Sequence, residues 1–271
     1  MINDFQPLEG RSKSKIIFDQ KNNIVKKSEF KDIDRFRLQI YKQQNFDSLK
    51  IKNIKTPKIL HVGKGYFEME FINGMNFIQF VEDENIKLVN LQIENLLNYL
   101  NEIKKIRLNQ EKNFPFKINE KIKALKIEKR HKEIYFFLKN QIERNNLNIS
   151  STYCHGDLSL SNLIFKEKDI YMVDFLNPFY DTYLMDIAKL RQDSVYFWLF
   201  VVNNFSSIKC EIVVKEINKM LINNFNDEIS SIEFKVIELI NFLRIEPYLK
   251  NKNEKKQLHK TIYTIFNSIN K

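Results

Sequence analysis

Along the first seventy residues, short apolar runs alternate with polar turns, which predicts a small β-rich lobe. The predicted strands lie at residues 5–8, 15–19, 23–27, 59–62 and 66–72. Between them, apolar positions at helical spacing predict one helix over residues 31–44. The Asn73-Gly74 pair is a turn signal, so we expect the first lobe to span residues 1–73.

After residue 73 the apolar positions recur mainly at helical spacing. Val89, Leu96 and Ile103 belong to one apolar stripe that predicts a helix of about four turns. Further helices are expected over 118–130, over 133–147 and from 193 to the end, with strand character at 152–154, 163–165 and 170–173. The pattern predicts an α+β fold with a larger, mostly helical lobe over residues 74–271.

Composition indicates a globular protein and bears on whether it binds nucleic acid. A hydrophobic fraction of 43%, with 23 phenylalanines, is enough to build a core. The net charge of +10 suggests nucleic-acid binding, but the lysines are dispersed among 34 acidic residues and no zinc-finger or RNA-recognition motif is present. We therefore expect no nucleic-acid partner.

The sequence also predicts the compartment. It contains no apolar run of 18 residues, its start lacks the pattern of a signal peptide, and it has two cysteines. These features predict a cytoplasmic protein that does not insert into a membrane. The oligomeric state is left open.

The segment HGDLSLSN at residues 155–162 and the VDF at 173–175 carry the candidate chemistry. Phosphoryl transfer needs a carboxylate that orients the accepting hydroxyl, and oxygen ligands for Mg²⁺. Asp157 offers the carboxylate, Asn162 follows five positions later, and Asp174 follows the predicted hairpin. Each residue alone also fits a polar turn, but their order favours phosphoryl transfer.

These residues resemble the catalytic signature of the aminoglycoside phosphotransferase and choline kinase family. The resemblance implies a bilobal, protein-kinase-like fold that uses ATP and Mg²⁺, with GTP not excluded. It implies that Asp157 is the catalytic base and that Asn162 and Asp174 bind Mg²⁺. It also implies that His155 and Asp186 support the catalytic loop, although Asp186 also fits an exposed helix cap.

The resemblance predicts a nucleotide site in the first lobe. Its lysine should lie on the third strand, where we favour Lys26 over the adjacent Lys27. The other nucleotide-binding candidates are Ser12 and Ser14 of a loop with one glycine, and the main chains of Glu70 and Ile72.

One departure from the family concerns the glutamate that usually pairs with this lysine. Gln39 and Gln43 occupy the suitable positions of the predicted helix. A glutamine holds a lysine less firmly than an ion pair does. A catalytically silent, nucleotide-binding scaffold is therefore the alternative interpretation.

The short connection after Asp174 indicates a small-molecule acceptor. Eleven residues separate Asp174 from Asp186, and no Ala-Pro-Glu follows, so a peptide-binding segment is not expected. The substrate candidates are Tyr180, Asp181, Arg191 and Arg244. Because the C-terminal region is not notably acidic, we rank a sugar or an amino alcohol such as choline or ethanolamine above an aminoglycoside. Sugar precursors of surface polysaccharides are among the expected acceptors.

Overall fold

The computed structural model describes residues 5–8, 15–28, 33–109, 113–125, 127–144, 147–205, 207–249 and 251–269. The chain divides into two compact units. The first contains Met1–Tyr99 and Ser161–Asn177, and the second contains Leu100–Leu160 and Pro178–Lys271. The lobe boundary predicted after residue 73 stays a prediction.

The strands of the described residues belong to the first unit. They are β1 Phe5–Leu8, β2 Lys15–Asp19, β3 Ile24–Ser28, β4 Ile54–Lys55, β5 Ile59–Gly63, β6 Tyr66–Glu70, β7 Met75–Asn76, β8 Leu163–Lys166 and β9 Asp169–Met172. They form an antiparallel sheet of order β1-β2-β3-β6-β5 and a smaller sheet of order β4-β9-β8-β7. In the smaller sheet only the two-residue pairing of β4 with β9 is parallel.

The helices of the described residues lie mainly in the second unit. They are α1 Ile33–Phe46, α2 Phe77–Asp83, α3 Ile86–Lys105, α4 Phe114–Ala124, α5 Lys132–Glu143, α6 Tyr183–Ser194, α7 Trp198–Asn203, α8 Ile208–Ser230, α9 Ile232–Leu243 and α10 Lys252–Ile269. None of these helices is both long and apolar enough to cross a membrane.

In the first unit, α1 covers one face of the larger sheet. Phe36 and Ile40, four residues apart on this helix, pack against Val25, Phe67 and Met69 of the central strands. Residues at this spacing share one face of a helix. Burial of these apolar side chains therefore fixes α1 on the sheet.

The β8–β9 hairpin is held at both its strand and its turn. Phe165 of β8 stacks on Phe80 of α2, with ring centroids 4.4 Å apart. At the turn, the side-chain amides of Gln92 and Asn95 on α3 donate to the backbone carbonyls of Glu167 and Lys168. These contacts anchor the hairpin that precedes Asp174.

In the second unit, α6 is the central helix. Each of its twelve residues is buried, and it packs against α7, α8 and α9. A helix buried on all sides is usually apolar, yet α6 carries four charged residues. They are Asp186, Lys189, Arg191 and Asp193. Buried charges require partners, so these side chains indicate where polar groups of the unit meet.

The predicted α+β, protein-kinase-like fold is confirmed. The strand predicted at Thr152–Cys154 is wrong, because Thr152 forms only an isolated bridge with Arg107. The amides of Thr152 and Tyr153 donate to two different segments, at Asp181 and Ile106, so no continuous ladder forms. Strand-like composition therefore did not produce a strand here.

Candidate active site

The backbone of the predicted catalytic loop is fixed by one carboxylate of α6. Asp186 is fully buried and accepts hydrogen bonds from the amides of His155 at 2.7 Å and Gly156 at 2.8 Å. Gly156 has a φ of 86°, which glycine adopts without steric cost. The next amide, that of Asp157, donates to Nδ1 of His155 at 3.2 Å. The main chain that carries Asp157 is therefore held at three successive residues.

Asp157 is paired with a lysine on the same helix. Nζ of Lys189 lies 2.8 Å from Oδ1 of Asp157. The Asp157 side chain is 25% exposed, whereas that of Lys189 is 6% exposed. Burial raises the pKa of Asp157, but the charges of Lys189 and Arg244, with the Lys189 hydrogen bond, outweigh this and lower it to about 2. Asp157 is therefore ionised at neutral pH and accessible.

The end of the loop is held by a third side chain of α6. Oδ2 of Asp193 accepts a hydrogen bond from the amide of Leu160 at 2.8 Å. Burial raises the pKa of Asp193 to about 6, against the opposing effects of this hydrogen bond and of the Lys189 charge. Asp186, Lys189 and Asp193 follow one another three and four residues apart, so they lie on one face of the helix.

In the first unit, the hairpin brings the two predicted metal ligands close together. Leu163 pairs with Met172 across β8 and β9, and the amide of Val173 donates to the carbonyl of Asn162 at 3.0 Å. Val173 therefore lies opposite Asn162, and Asp174 is the next residue along the chain. Amide and carboxylate oxygens are donors that Mg²⁺ prefers, and the Asp174 side chain is 32% exposed. The donor set fits Mg²⁺.

Asp174 has an unusual backbone conformation. Its φ is 63°, in the left-handed region that residues other than glycine rarely adopt. Such strain of order 1–3 kcal/mol persists only where surrounding contacts impose it, and it is common at functional sites.

The lysine that contacts Asp174 is Lys27, not the favoured Lys26. Nζ of Lys27 lies 2.7 Å from Oδ1 of Asp174, and the Lys27 side chain is 5% exposed. Lys26 points to the other face of β3, where its ammonium lies 3.7 Å from Glu68 and 3.7 Å from the centroid of the Tyr66 ring. The role of either lysine in binding phosphate stays a prediction.

Helix α1 contacts the residues that follow Asp174. Lys42 donates to the carbonyl of Leu176 at 3.1 Å, and the rings of Phe46 and Phe175 are 5.4 Å apart. Gln43 donates instead to the carbonyl of Pro57 at 2.8 Å. Nε2 of Gln39 is buried and has no hydrogen-bond partner among the described residues.

The other nucleotide-binding candidates differ in how far the structure describes them. Ser12 and Ser14 lie outside the described residues. The amide of Glu70 donates to the carbonyl of Lys58 at 3.0 Å, and the carbonyl of Ile72 accepts from Gly74 at 3.0 Å. Their roles in binding a nucleotide stay predictions.

Of the four substrate candidates, Arg244 acts on Asp157 through its charge. Tyr180 is buried and donates to the carbonyl of Ile149, and Asp181 accepts from Sγ of Cys154 at 3.3 Å. Arg191 is buried and pairs with Glu238 at 2.8 Å. The roles of these four residues in binding a substrate stay predictions.

Lys189 is the site residue that sequence reasoning missed. A lysine in a helix is usually solvated, so the sequence pattern alone does not predict Lys189 as a partner of Asp157. The available signal was its position three residues after Asp186 and four before Asp193.

A family model described as "Ecdysteroid kinase-like family" matches residues 47–192, more than half of the chain. The chain belongs to the ecdysteroid kinase-like family. The match covers the predicted catalytic loop, both predicted metal ligands and most of α6. Members of this family are ATP-dependent small-molecule kinases. A search of curated protein sequences found no significant match.

Solved structures share the fold at low sequence identity. An aminoglycoside phosphotransferase in a ternary complex with AMP-PNP and hygromycin B has a TM-score of 0.71 and 10% identity, covering 99% of this chain and 95% of that one. A GDP and kanamycin complex of another such enzyme gives 0.66 and 10%, covering 99% and 93%. An ethanolamine kinase of Plasmodium vivax gives 0.56 and 15%, covering 97% and 81%.

We predict that Asp193 makes this family member less stable as the pH rises from about 4 to about 6. Its pKa is 3.8 when the chain is unfolded and about 6 when it is folded, so the folded state binds more protons in this range. The free energy of unfolding should fall by up to about 3 kcal/mol over this range relative to Asp193→Asn, and the difference should be constant above it.

Urea unfolding of both proteins at several pH values measures this difference. A difference that does not change between pH 4 and 7 would contradict the assignment.

Proposed function

We propose that the chain is an ATP-dependent kinase that transfers the γ-phosphoryl group to a hydroxyl of a small molecule. The observation that carries the proposal is the contact of Lys27 with Asp174. A buried lysine of β3 and a partly exposed aspartate after β9, distant in sequence, meet at 2.7 Å. A kinase needs this combination, because the lysine and the metal ligand act on the same chain of phosphates.

In this proposal Asp157 orients the accepting hydroxyl. Its carboxylate accepts a hydrogen bond from the hydroxyl and receives the proton as the new O–P bond forms. The bond from the γ-phosphorus to the bridging oxygen of ATP breaks, and ADP leaves with that electron pair. A carboxylate with a pKa of about 2 is a weak base, which suits a loose transition state in which positioning and charge stabilisation contribute most. Lys189 keeps the carboxylate ionised and limits its rotation.

The nucleotide would be bound by groups of the first unit. Lys27 would contact the tail phosphates through a charge-assisted hydrogen bond. Asn162 and Asp174 would hold Mg²⁺, which neutralises phosphate charge when bound. GTP stays a candidate donor, since one structural relative was solved with GDP.

The acceptor we favour is a sugar hydroxyl, with an amino alcohol second. The charges that act most strongly on Asp157 are the cations Lys189 and Arg244. Cations repel a polycationic acceptor, which disfavours an aminoglycoside although several structural relatives bind one. Choline and ethanolamine carry a single positive charge and are disfavoured less. Sugar precursors of surface polysaccharides fit this preference.

The alternative is a silent scaffold that binds a nucleotide without turnover. It is favoured by glutamines in place of the usual helix glutamate, since Gln43 bonds to Pro57. The contact of Lys42 with Leu176 supports the active enzyme instead. It connects α1 to the segment after Asp174 without the usual pair of helix glutamate and strand lysine.

We predict Mg²⁺-dependent ADP release with at least one acceptor from a panel of monosaccharides, choline, ethanolamine and aminoglycosides. Asp157→Asn should lower kcat by about 10²–10⁴-fold, because it removes the group that receives the proton. Asp83→Asn, an exposed aspartate on α2, is the matched control and should retain full activity.

Tight binding of Mg²⁺–ATP without turnover of any acceptor in the panel would favour the scaffold. Absence of nucleotide binding would refute both proposals.

We predict that the adjacent lysines of β3 differ sharply in their effect on ATP binding. Lys27→Ala removes a buried, charge-assisted contact and should weaken the binding of Mg²⁺–ATP by about ten- to a hundredfold. Lys26→Ala removes a partly exposed ion pair and should change it by less than about fivefold. Calorimetric titration measures both. A larger effect of Lys26→Ala would assign the phosphate contact to Lys26. Equal effects would contradict the predicted difference between the two lysines.

A further inference from the structure

Three potential metal ligands from distant parts of the sequence meet in the interior of the second unit. His131 precedes α5, Glu246 lies in a 3₁₀ turn between α9 and α10, and His259 lies on α10. One ligand atom from each lies within 4.8 Å of the others. Nε2 of His131 is 3.5 Å from Oε1 of Glu246, and Nε2 of His259 is 2.6 Å from the same oxygen. The kinase proposal assigns no role to these residues.

His131 is the member of this cluster that lacks a hydrogen bond. Its side chain is fully buried, and neither ring nitrogen has a hydrogen-bond partner among the described residues. A buried polar group without a partner destabilises the fold. Oε1 of Glu246 lies 3.5 Å from Nε2 of His131, at the outer limit of a hydrogen bond, so this nitrogen is available to bind an ion.

We propose that His131, Glu246 and His259 bind a divalent transition-metal ion, with Zn²⁺ the best fit. Two imidazoles and one carboxylate are a ligand set that Zn²⁺ accepts, with a fourth position left for water. Tetrahedral bonds of about 2.0–2.2 Å require ligand atoms about 3.3 Å apart. The His131–Glu246 separation meets this value, and the His259–Glu246 pair must open by about 0.7 Å.

Access and charge are consistent with an ion in this cluster. The side chain of His259 is 17% exposed, whereas His131 and Glu246 are buried. The site therefore opens to solvent on the α10 side. Glu246 supplies one negative charge, which offsets part of the charge of the ion in a buried position.

Arg130 competes with a metal for His259. Its Nη1 lies 3.1 Å from Nδ1 of His259, and arginine can only donate, so Nδ1 accepts and Nε2 carries the proton. That proton lies between His259 and Glu246, where the metal would bind. Metal binding therefore requires the proton to move to Nδ1 and Arg130 to release it. Arg130 already pairs with Glu128 at 2.7 Å and is 56% exposed, so it has another partner.

This competition makes a specific prediction. Arg130→Gln should bind Zn²⁺ more tightly than the wild type, because it removes both a cation and an obligatory donor from the ligand His259. If the three residues form only a hydrogen-bonded cluster, the substitution removes one hydrogen bond and gives no gain in metal affinity.

The experiment titrates Zn²⁺ into the full chain in excess Mg²⁺, which occupies oxygen sites but competes poorly for imidazole. Wild type should bind one Zn²⁺ and unfold at a higher temperature, and a chelator should reverse the shift. His131→Gln and His259→Gln should each weaken binding by at least about tenfold. His61→Gln, at an exposed histidine of β5, is the matched control and should bind as the wild type does.

Co²⁺ supplies a readout that does not depend on the folding of the histidine variants. Wild type and Arg130→Gln should both give the visible spectrum of tetrahedral Co²⁺, and Zn²⁺ should displace it. The proposal would be overturned by absence of stoichiometric Zn²⁺ binding in wild type, or by equal binding in the His131 variant. It would also be overturned if His61→Gln removed the ion. None of these results depends on kinase activity.

Discussion

The interaction on which the second unit depends is the contact between one face of α6 and the predicted catalytic loop. Asp186, Lys189 and Asp193 contact the loop at its start, at Asp157 and at its end. Charges buried in this way are costly unless they are paired. The polar groups of the helix and of the loop therefore supply each other's hydrogen-bond and ion-pair partners. Displacement of either element leaves buried charges without partners. This mutual requirement fixes the main chain around Asp157 and keeps its carboxylate ionised.

In the first unit, too, a charged pair that is partly buried fixes the position of a candidate functional residue. The hairpin from β8 to β9 places Val173 opposite Asn162, so that Asp174 follows this pair, and Lys27 is the cation that contacts Asp174. Apolar contacts support this arrangement, since Phe175 packs on Phe46 of α1. The unusual backbone of Asp174 is thus held by pairing on one side and by packing on the other.

The division into a β-rich and a helical lobe could be predicted from local apolar patterns, and the protein-kinase-like fold followed from the family resemblance carried by the segments of Asp157, Asn162 and Asp174. The sequence could not predict which lysine of β3 contacts Asp174. Ile24 and Val25 are both apolar, so the alternation of the strand does not identify its covered face. Lys189 was missed because a lysine on a helix is usually solvated, and its burial depends on the loop it meets. The cluster of His131, Glu246 and His259 could not be predicted either, since only tertiary packing brings these distant residues together.

The central claim is that α6 sets the charge of Asp157, with Lys189 as the main source of that effect. Carboxyl-carbon NMR of aspartate-labelled protein, assigned with Asp157→Asn, measures this directly in wild type and in Lys189→Met. The account predicts a pKa of about 2 for Asp157 in the wild type and a higher value in the variant, because burial would then act with less opposing charge. An Asp157 that titrates near 4 in both proteins would contradict it.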